Sequence, residues 1–161
     1  MKPAVEAERM RTAMTQAVGR LAARCGELLS SWGPVAVDPI IVERFREAIG
    51  WPGDTTSTAV PPTILIHLKE VRVNVHQDER PREVIDDTLV NPVNGGTRYE
   101  WMRLIEVGET IKGQVRLHAA TMREGRSGPL AIIVTETRYL DARDQVVARM
   151  EKTMVYRGAA S

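Results

Sequence analysis

Residues 110–156 read TIKGQVRLHAATMREGRSGPLAIIVTETRYLDARDQVVARMEKTMVY, and this stretch decides the fold. Ile111, Val115, Leu117 and Ala119 come in near-alternation, the two-residue period of a half-buried strand. Glu124-Gly125-Arg126-Ser127-Gly128 reads as a turn, and Leu130 to Leu140 as a second strand. A turn over Asp141 to Asp144 then leads to a third, in which Val146, Ala148, Met150, Met154 and Tyr156 share one face. Long strands joined by tight turns make an antiparallel meander. Strands of this length curl around something, and a helix is the natural filling.

Upstream, Thr97 to Ile105 reads as a further strand. Residues 77–96 read as a long polar loop, with a short strand over Val84 to Val90 and a turn at Asn94-Gly95-Gly96. The segment Thr63 to His76 is ambiguous. Ile64, Ile66, Leu68, Val71, Val73 and Val75 favour a strand, whereas Pro61-Pro62 ahead of a short apolar run suits a helix start. A helix before it is better marked: Asp38 as cap, Pro39 at the first helical position and Gly50 as the left-handed end. Its inner face is Ile41, Val42, Phe45, Ala48 and Ile49. Met10, Met14, Ala17, Val18, Leu21, Cys25, Leu28 and Leu29 predict an amphipathic helix from about residue 4 to 30, broken by Ser30-Ser31-Trp32-Gly33-Pro34. Cys25 on that stripe reads as a small buried hydrophobe.

With 161 residues the chain is one domain, large enough for a real core. Its charge balance, 22 basic against 21 acidic residues, argues against a dedicated nucleic-acid or polybasic membrane protein. Aromatic residues make up 4%, too few for a base-stacking platform. The single cysteine excludes an internal disulfide and any multi-cysteine metal cluster, and suits a cytoplasmic protein. No apolar run is long enough to span a membrane, and charges at Lys2, Glu6, Glu8, Arg9 and Arg11 interrupt any signal peptide.

His67, His76 and His118 lack metal-ligand spacing, and no Gly-x-Ser-x-Gly elbow, dinucleotide fingerprint or phosphate loop is present. Asp78-Glu79-Arg80 and Asp86-Asp87 read as solvated loop charges. Asp54 reads as a turn residue, and His67 as a core or edge histidine. Arg98 and Arg103 read as solvated charges within reach of a phosphate. Motifs alone identify no active site.

Val42-Glu43-Arg44-Phe45-Arg46-Glu47-Ala48-Ile49-Gly50, followed by Ala59-Val60-Pro61-Pro62-Thr63, resembles the opening of a MaoC-like hot-dog domain. It is more similar still to the N-terminal, FAS1-like dehydratase half of that family. Tyr99-Glu100-Trp101-Met102-Arg103-Leu104-Ile105-Glu106-Val107-Gly108-Glu109-Thr110 resembles the family's aromatic strand and its R-P-L-x-V-G-D turn. Arg126-Ser127-Gly128-Pro129-Leu130 and Val134-Thr135-Glu136-Thr137 fit its next hairpin. The resemblance implies an α+β fold: a single hot-dog domain over 36–157, its long antiparallel β-sheet wrapped around a central helix. An extra N-terminal helical extension over 1–35 and a tail at 158–161 complete the chain. It also implies that Pro62 to about Lys69 is helical.

The family hydrates enoyl thioesters or dehydrates (R)-3-hydroxyacyl thioesters, using a Gly-Asp-x-Asn-Pro-x-His pattern whose aspartate and histidine activate one water. Here Gly50 matches the glycine, but Trp51 stands for the aspartate, Gly53 for the asparagine, Asp54 for the proline and Thr56 for the histidine. No catalytic residue carries over. The resemblance therefore implies a non-catalytic subunit of a heteromer, shaping the acyl cleft for a catalytic MaoC-like hot-dog partner, with bulky or long acyl chains as cargo. Trp51, Asp54, Pro62, Thr63 and His67 are the candidate substrate-binding residues. No metal or cofactor is implied; CoA or an acyl carrier enters as part of the thioester substrate. Two rival readings are a homodimeric acyl-CoA-binding module and a thioesterase using Glu70 or Asp54.

Overall fold

The computed structural model of the chain describes residues 3–51, 58, 60–73, 88–126 and 128–157. Its elements are α1 (Pro3–Ala22), β1 (Leu28–Ala36), α2 (Pro39–Ile49), α3 (Ile64–Val73), β2 (Val90–Trp101), β3 (Thr110–Gly125), β4 (Gly128–Leu140) and β5 (Val146–Arg157). The strands form one antiparallel sheet in the order β1-β3-β4-β5-β2. The predicted meander is β3-β4-β5, so its hairpins fill the centre of the sheet while β1 and β2 are its edges.

Alternation along the strands gives the sheet one covered face. On β4, besides Leu140 at the strand end, every second residue from Ala131 to Tyr139 is buried: Ala131, Ile133, Thr135, Thr137 and Tyr139. The β3 partners of these residues are Met122, Ala120, Leu117, Val115 and Gly113; a register shift between Leu117 and Ala119 keeps them on that face. Two apolar clusters sit on it. Val42 of α2 and Ile64, Leu65 and Leu68 of α3 pack with Val35, Ile111, Tyr139, Val147 and Met150 at one end. Met14, Ala17, Val18 and Leu21 of α1 pack with Leu117, Ala120, Ala131, Ile133 and Tyr156 at the other. The sheet thus covers α3, as the hot-dog resemblance implies, and α1 extends the same core.

Several expectations need correction. The first helix ends at Ala22, and residues 28–36 join the sheet as β1 instead of belonging to a helical extension or a break. Gly26, at φ +90°, turns the chain, and its N–H donates to Leu117 O at 2.7 Å. Cys25 lies in that turn and is exposed, not buried. Thr63 to His76 resolves in favour of helix, with α3 over Ile64–Val73. Asn94-Gly95-Gly96 lies inside β2, where it produces a register shift, not a turn. The short strand expected over Val84 to Val90 falls almost wholly outside the described residues. In α2, Ala48 and Ile49 are exposed although the periodicity placed them inward.

Candidate functional site

The helix that ends at Gly50-Trp51 is built as its sequence dictates. The Asp38 carboxylate accepts from Ile40 N at 2.7 Å and Ile41 N at 3.3 Å, filling two of the open N-terminal donors. Pro39 needs no such partner. At the other end Gly50 adopts φ 62°, ψ 38°, and its N–H turns back to Glu47 O at 3.2 Å. Trp51 follows directly: its N–H donates to Arg46 O at 2.9 Å and its side chain is exposed. Residues 52–57, Asp54 among them, lie outside the described residues.

Pro62 and Thr63 form the turn that opens α3; Pro62 is half-buried and Thr63 exposed. The first donors of α3 are closed within the chain. Ile64 N donates to Pro61 O at 3.0 Å, Leu65 N to Pro62 O at 3.4 Å and Ile66 N to Thr63 O at 3.2 Å. Such three-residue closures leave these N–H groups engaged by their own backbone and not presented to a ligand carbonyl. His67 stands one turn on and stacks against Phe45 of α2, ring centres 6.0 Å apart and planes 30° apart. The structure therefore joins His67 to α2, as a packed, half-buried ring. Trp51 sits at the far end of that helix, and Pro62 and Thr63 at the start of α3. The side chain of Glu70 lies outside the described residues.

Beneath the helices, the sheet presents a row across all five strands: Trp32, Gly113, Tyr139, Ala148 and Trp101. Gly113 has no side chain because Trp32 lies over it; a Cβ there would meet the indole at 2.1 Å. Trp32 meets Tyr139 edge-on at 5.8 Å, and Tyr99 stacks on Trp101 at 5.4 Å. Tyr139 is fully buried, which pushes its phenol well above the usual range, with Tyr99 adding to the rise. Its hydroxyl points at Met150 Sδ, 3.8 Å away. Between the two apolar clusters the same face carries Thr135 and Thr137, both buried. The covered face thus combines aromatic side chains with a buried polar band.

Arg103 has a role that sequence reasoning missed. Its guanidinium forks onto Glu109, at 2.8 and 2.6 Å, and also reaches Asp141 at 3.1 Å and Leu104 O at 2.9 Å. The segment between β2 and β3 is thereby clamped to the β4–β5 turn. Arg103 holds Glu109 below the usual carboxylate range. Asp141 is lowered first by the N–H groups of Gln145 and Arg143, then by Arg103. The signal was present, since Arg103 and Glu109 bracket the Val107-Gly108 turn, and Gly108 adopts φ 87°.

The elements and their order define a hot-dog fold, and solved structures agree. The ChsH1-ChsH2 complex from Mycobacterium tuberculosis contains a chain that superposes with a TM-score of 0.61 at 14% identity, covering 93% of this chain and 94% of that one. The HadBC (3R-hydroxyacyl-ACP dehydratase) complex from the same organism gives 0.52 at 17% identity, over 78% and 94%. The MaoC-like dehydratase from Rhodospirillum rubrum gives 0.50 at 16% identity, over 81% and 91%. No curated protein sequence matches the chain. The family model of the FAS1-like dehydratase domain region matches residues 38–150, and the chain belongs to that family. Among the described residues no helix is long and apolar enough to cross a membrane.

Proposed function

We propose that this chain is the non-catalytic subunit of a heteromeric enoyl-thioester hydratase or (R)-3-hydroxyacyl-thioester dehydratase. One observation carries the reading: the chain belongs to a dehydratase family, yet Trp51 and Thr56 occupy the positions where active members hold the aspartate and histidine. Without that pair, no group at this position takes a proton from water or delivers one to the α-carbon. The subunit then serves by shape. Its exposed Trp51 and Trp101 border the acyl cleft, and a catalytic MaoC-like partner supplies both carboxylate and imidazole. Two of the similar structures are themselves two-chain complexes, which supports the heteromer. The cargo is a bulky or long acyl-CoA or acyl-carrier thioester, the reaction needs no resident cofactor, and the complex works in the cytoplasm.

The partner joins at β2. This edge is continuous from Thr97 to Trp101, and it runs into exposed Met102 and Leu104. Both edge strands carry two register shifts and a proline, but those of β2 lie upstream of Thr97, whereas those of β1 leave no paired run longer than Ser30–Trp32. Recovery of the tagged chain from its native lysate tests the reading. A stoichiometric hot-dog chain with Gly-Asp-x-Asn-Pro-x-His is expected. Recovery of the chain only with itself contradicts it.

A further inference from the structure

The uncovered face of the sheet carries two rows of charges in which like charges oppose each other at β4–β5, flanked by opposite-charge pairs at β5–β2 in both rows and at β3–β4 in one. Register places Arg116, Glu136, Glu151 and Arg98 in one row across β3, β4, β5 and β2, and Gln114, Arg138, Arg149 and Glu100 in the next. Glu136 therefore lies directly opposite Glu151, and Arg138 directly opposite Arg149. Directly opposed like charges on neighbouring strands are destabilising. Arg138 relieves part of this along its own strand, donating from Nε to Glu136 Oε1 at 2.6 Å. His118 Nε2 stands 3.8 Å from Glu151 Oε1. Arg98, Glu100, Glu136, Arg149 and Glu151 line a groove of about 130 Å³.

The two rows are complementary to each other. We propose that this face is a contact between two copies of the chain. They pack back to back about a two-fold axis that lies in the face, at right angles to the strands, between the rows. Each Glu136 then meets Arg138 of the partner subunit. Each Glu151 meets the partner subunit's Arg149, and each Arg98 the partner subunit's Glu100. A two-fold axis along the strands would instead set acid on acid and base on base, so the charge pattern selects one orientation. Such an interface is isologous and closes at two copies.

The two rows hold four arginines (98, 116, 138, 149) against three glutamates (100, 136, 151), a near balance that is no surface for a polyanion or an acidic membrane. Individually, exposed ion pairs contribute little, but six in one network fix orientation and exclude wrong partners. The contact uses a different surface from the β2 edge, so it stands whether or not a catalytic chain binds there.

Light scattering of the purified full-length chain across a range of concentrations tests the proposal. Glu151→Arg alone, and Arg149→Glu alone, are each expected to halve the mass or raise the dissociation constant of self-association at least about tenfold. The double variant E151R/R149E recreates the match with reversed sign and is expected to restore the assembly. Circular dichroism and denaturation of each variant show whether it is folded; should Glu151→Arg fail to fold, Glu100→Arg with Arg98→Glu repeats the test at the edge of the rows. A wild-type chain that is monomeric throughout overturns the proposal. So does a mass unchanged by the single swaps, or one lowered by them and not restored by the double.

Discussion

Gly113 is legible only from the structure: in the sequence it is a glycine inside a strand, which ordinarily weakens one. Its position opposite Trp32 explains it, because the indole occupies the space of a side chain. Gly113→Ala should therefore cost about 1–3 kcal/mol in denaturant unfolding, as overpacking does. The loss should shrink in a Trp32→Leu background, where the obstacle is gone. Equal losses in both backgrounds would mean that Trp32 is not the cause.

Arg103 illustrates how a residue's partners escape sequence reading, since Asp141 is 38 residues away. Glu109 and Asp141 both have folded pKa values below their ordinary ones of 4.5 and 3.8. The sign follows from linkage: the clamp's contribution is complete above the ordinary carboxylate range and is lost as pH falls through the depressed folded values. Stability of the wild-type chain should fall between about pH 5 and pH 3. Arg103→Ala should flatten that part of the profile while leaving the neutral-pH transition cooperative; an unaltered acid profile would contradict the clamp.

At the scale of elements, periodicity identified β3, β4 and β5 well because each alternates for most of its length over one covered face. In β3 the register shift after Leu117 puts Ala120, not the expected Ala119, on that face. It failed where one pattern serves two structures. Leu28 and Leu29 continue the spacing of α1, yet Gly26 turns the chain and they start a strand. Ile64, Ile66 and Leu68 alternate like a strand, but Ile64, Leu65 and Leu68 are the ones buried, the three-and-four spacing of a helix lying in a sheet's concavity. Asn94-Gly95-Gly96 has hairpin chemistry and serves as an irregularity in β2: a Cβ at Gly95 would stand 3.0 Å from Val155, and Gly96 adopts φ 146°. The proposed partner contact belongs to this scale. Leu104, 55% exposed beside the β2 edge, should be covered in the heteromer. Leu104→Asp is expected to weaken partner binding at least about tenfold in a titration while leaving the fold intact. Unchanged affinity would move the interface elsewhere.

For the whole molecule, the fold and family were legible from the order of short motifs, which the match over residues 38–150 bears out. The candidate site was less legible. His67 proved to be packed on Phe45, Trp51 is exposed at the end of α2, and the missing acid–base pair is itself a sequence observation. If, as proposed, the cleft is shared between two chains, neither sequence alone displays it. If Trp51 borders that cleft, Trp51→Ala should reduce turnover of a long-chain enoyl-CoA by the complex several-fold more than turnover of crotonyl-CoA. Identical effects on both would remove Trp51 from the acyl path.

The central claim is that this member of a dehydratase family does not perform the chemistry alone. Hydration of crotonyl-CoA and of a long-chain enoyl-CoA, measured with the purified chain and again with the complex recovered from native lysate, tests it most directly. The account predicts no hydration above the buffer rate by the isolated chain and turnover by the complex. Turnover by the isolated chain at a rate matching the complex would contradict it.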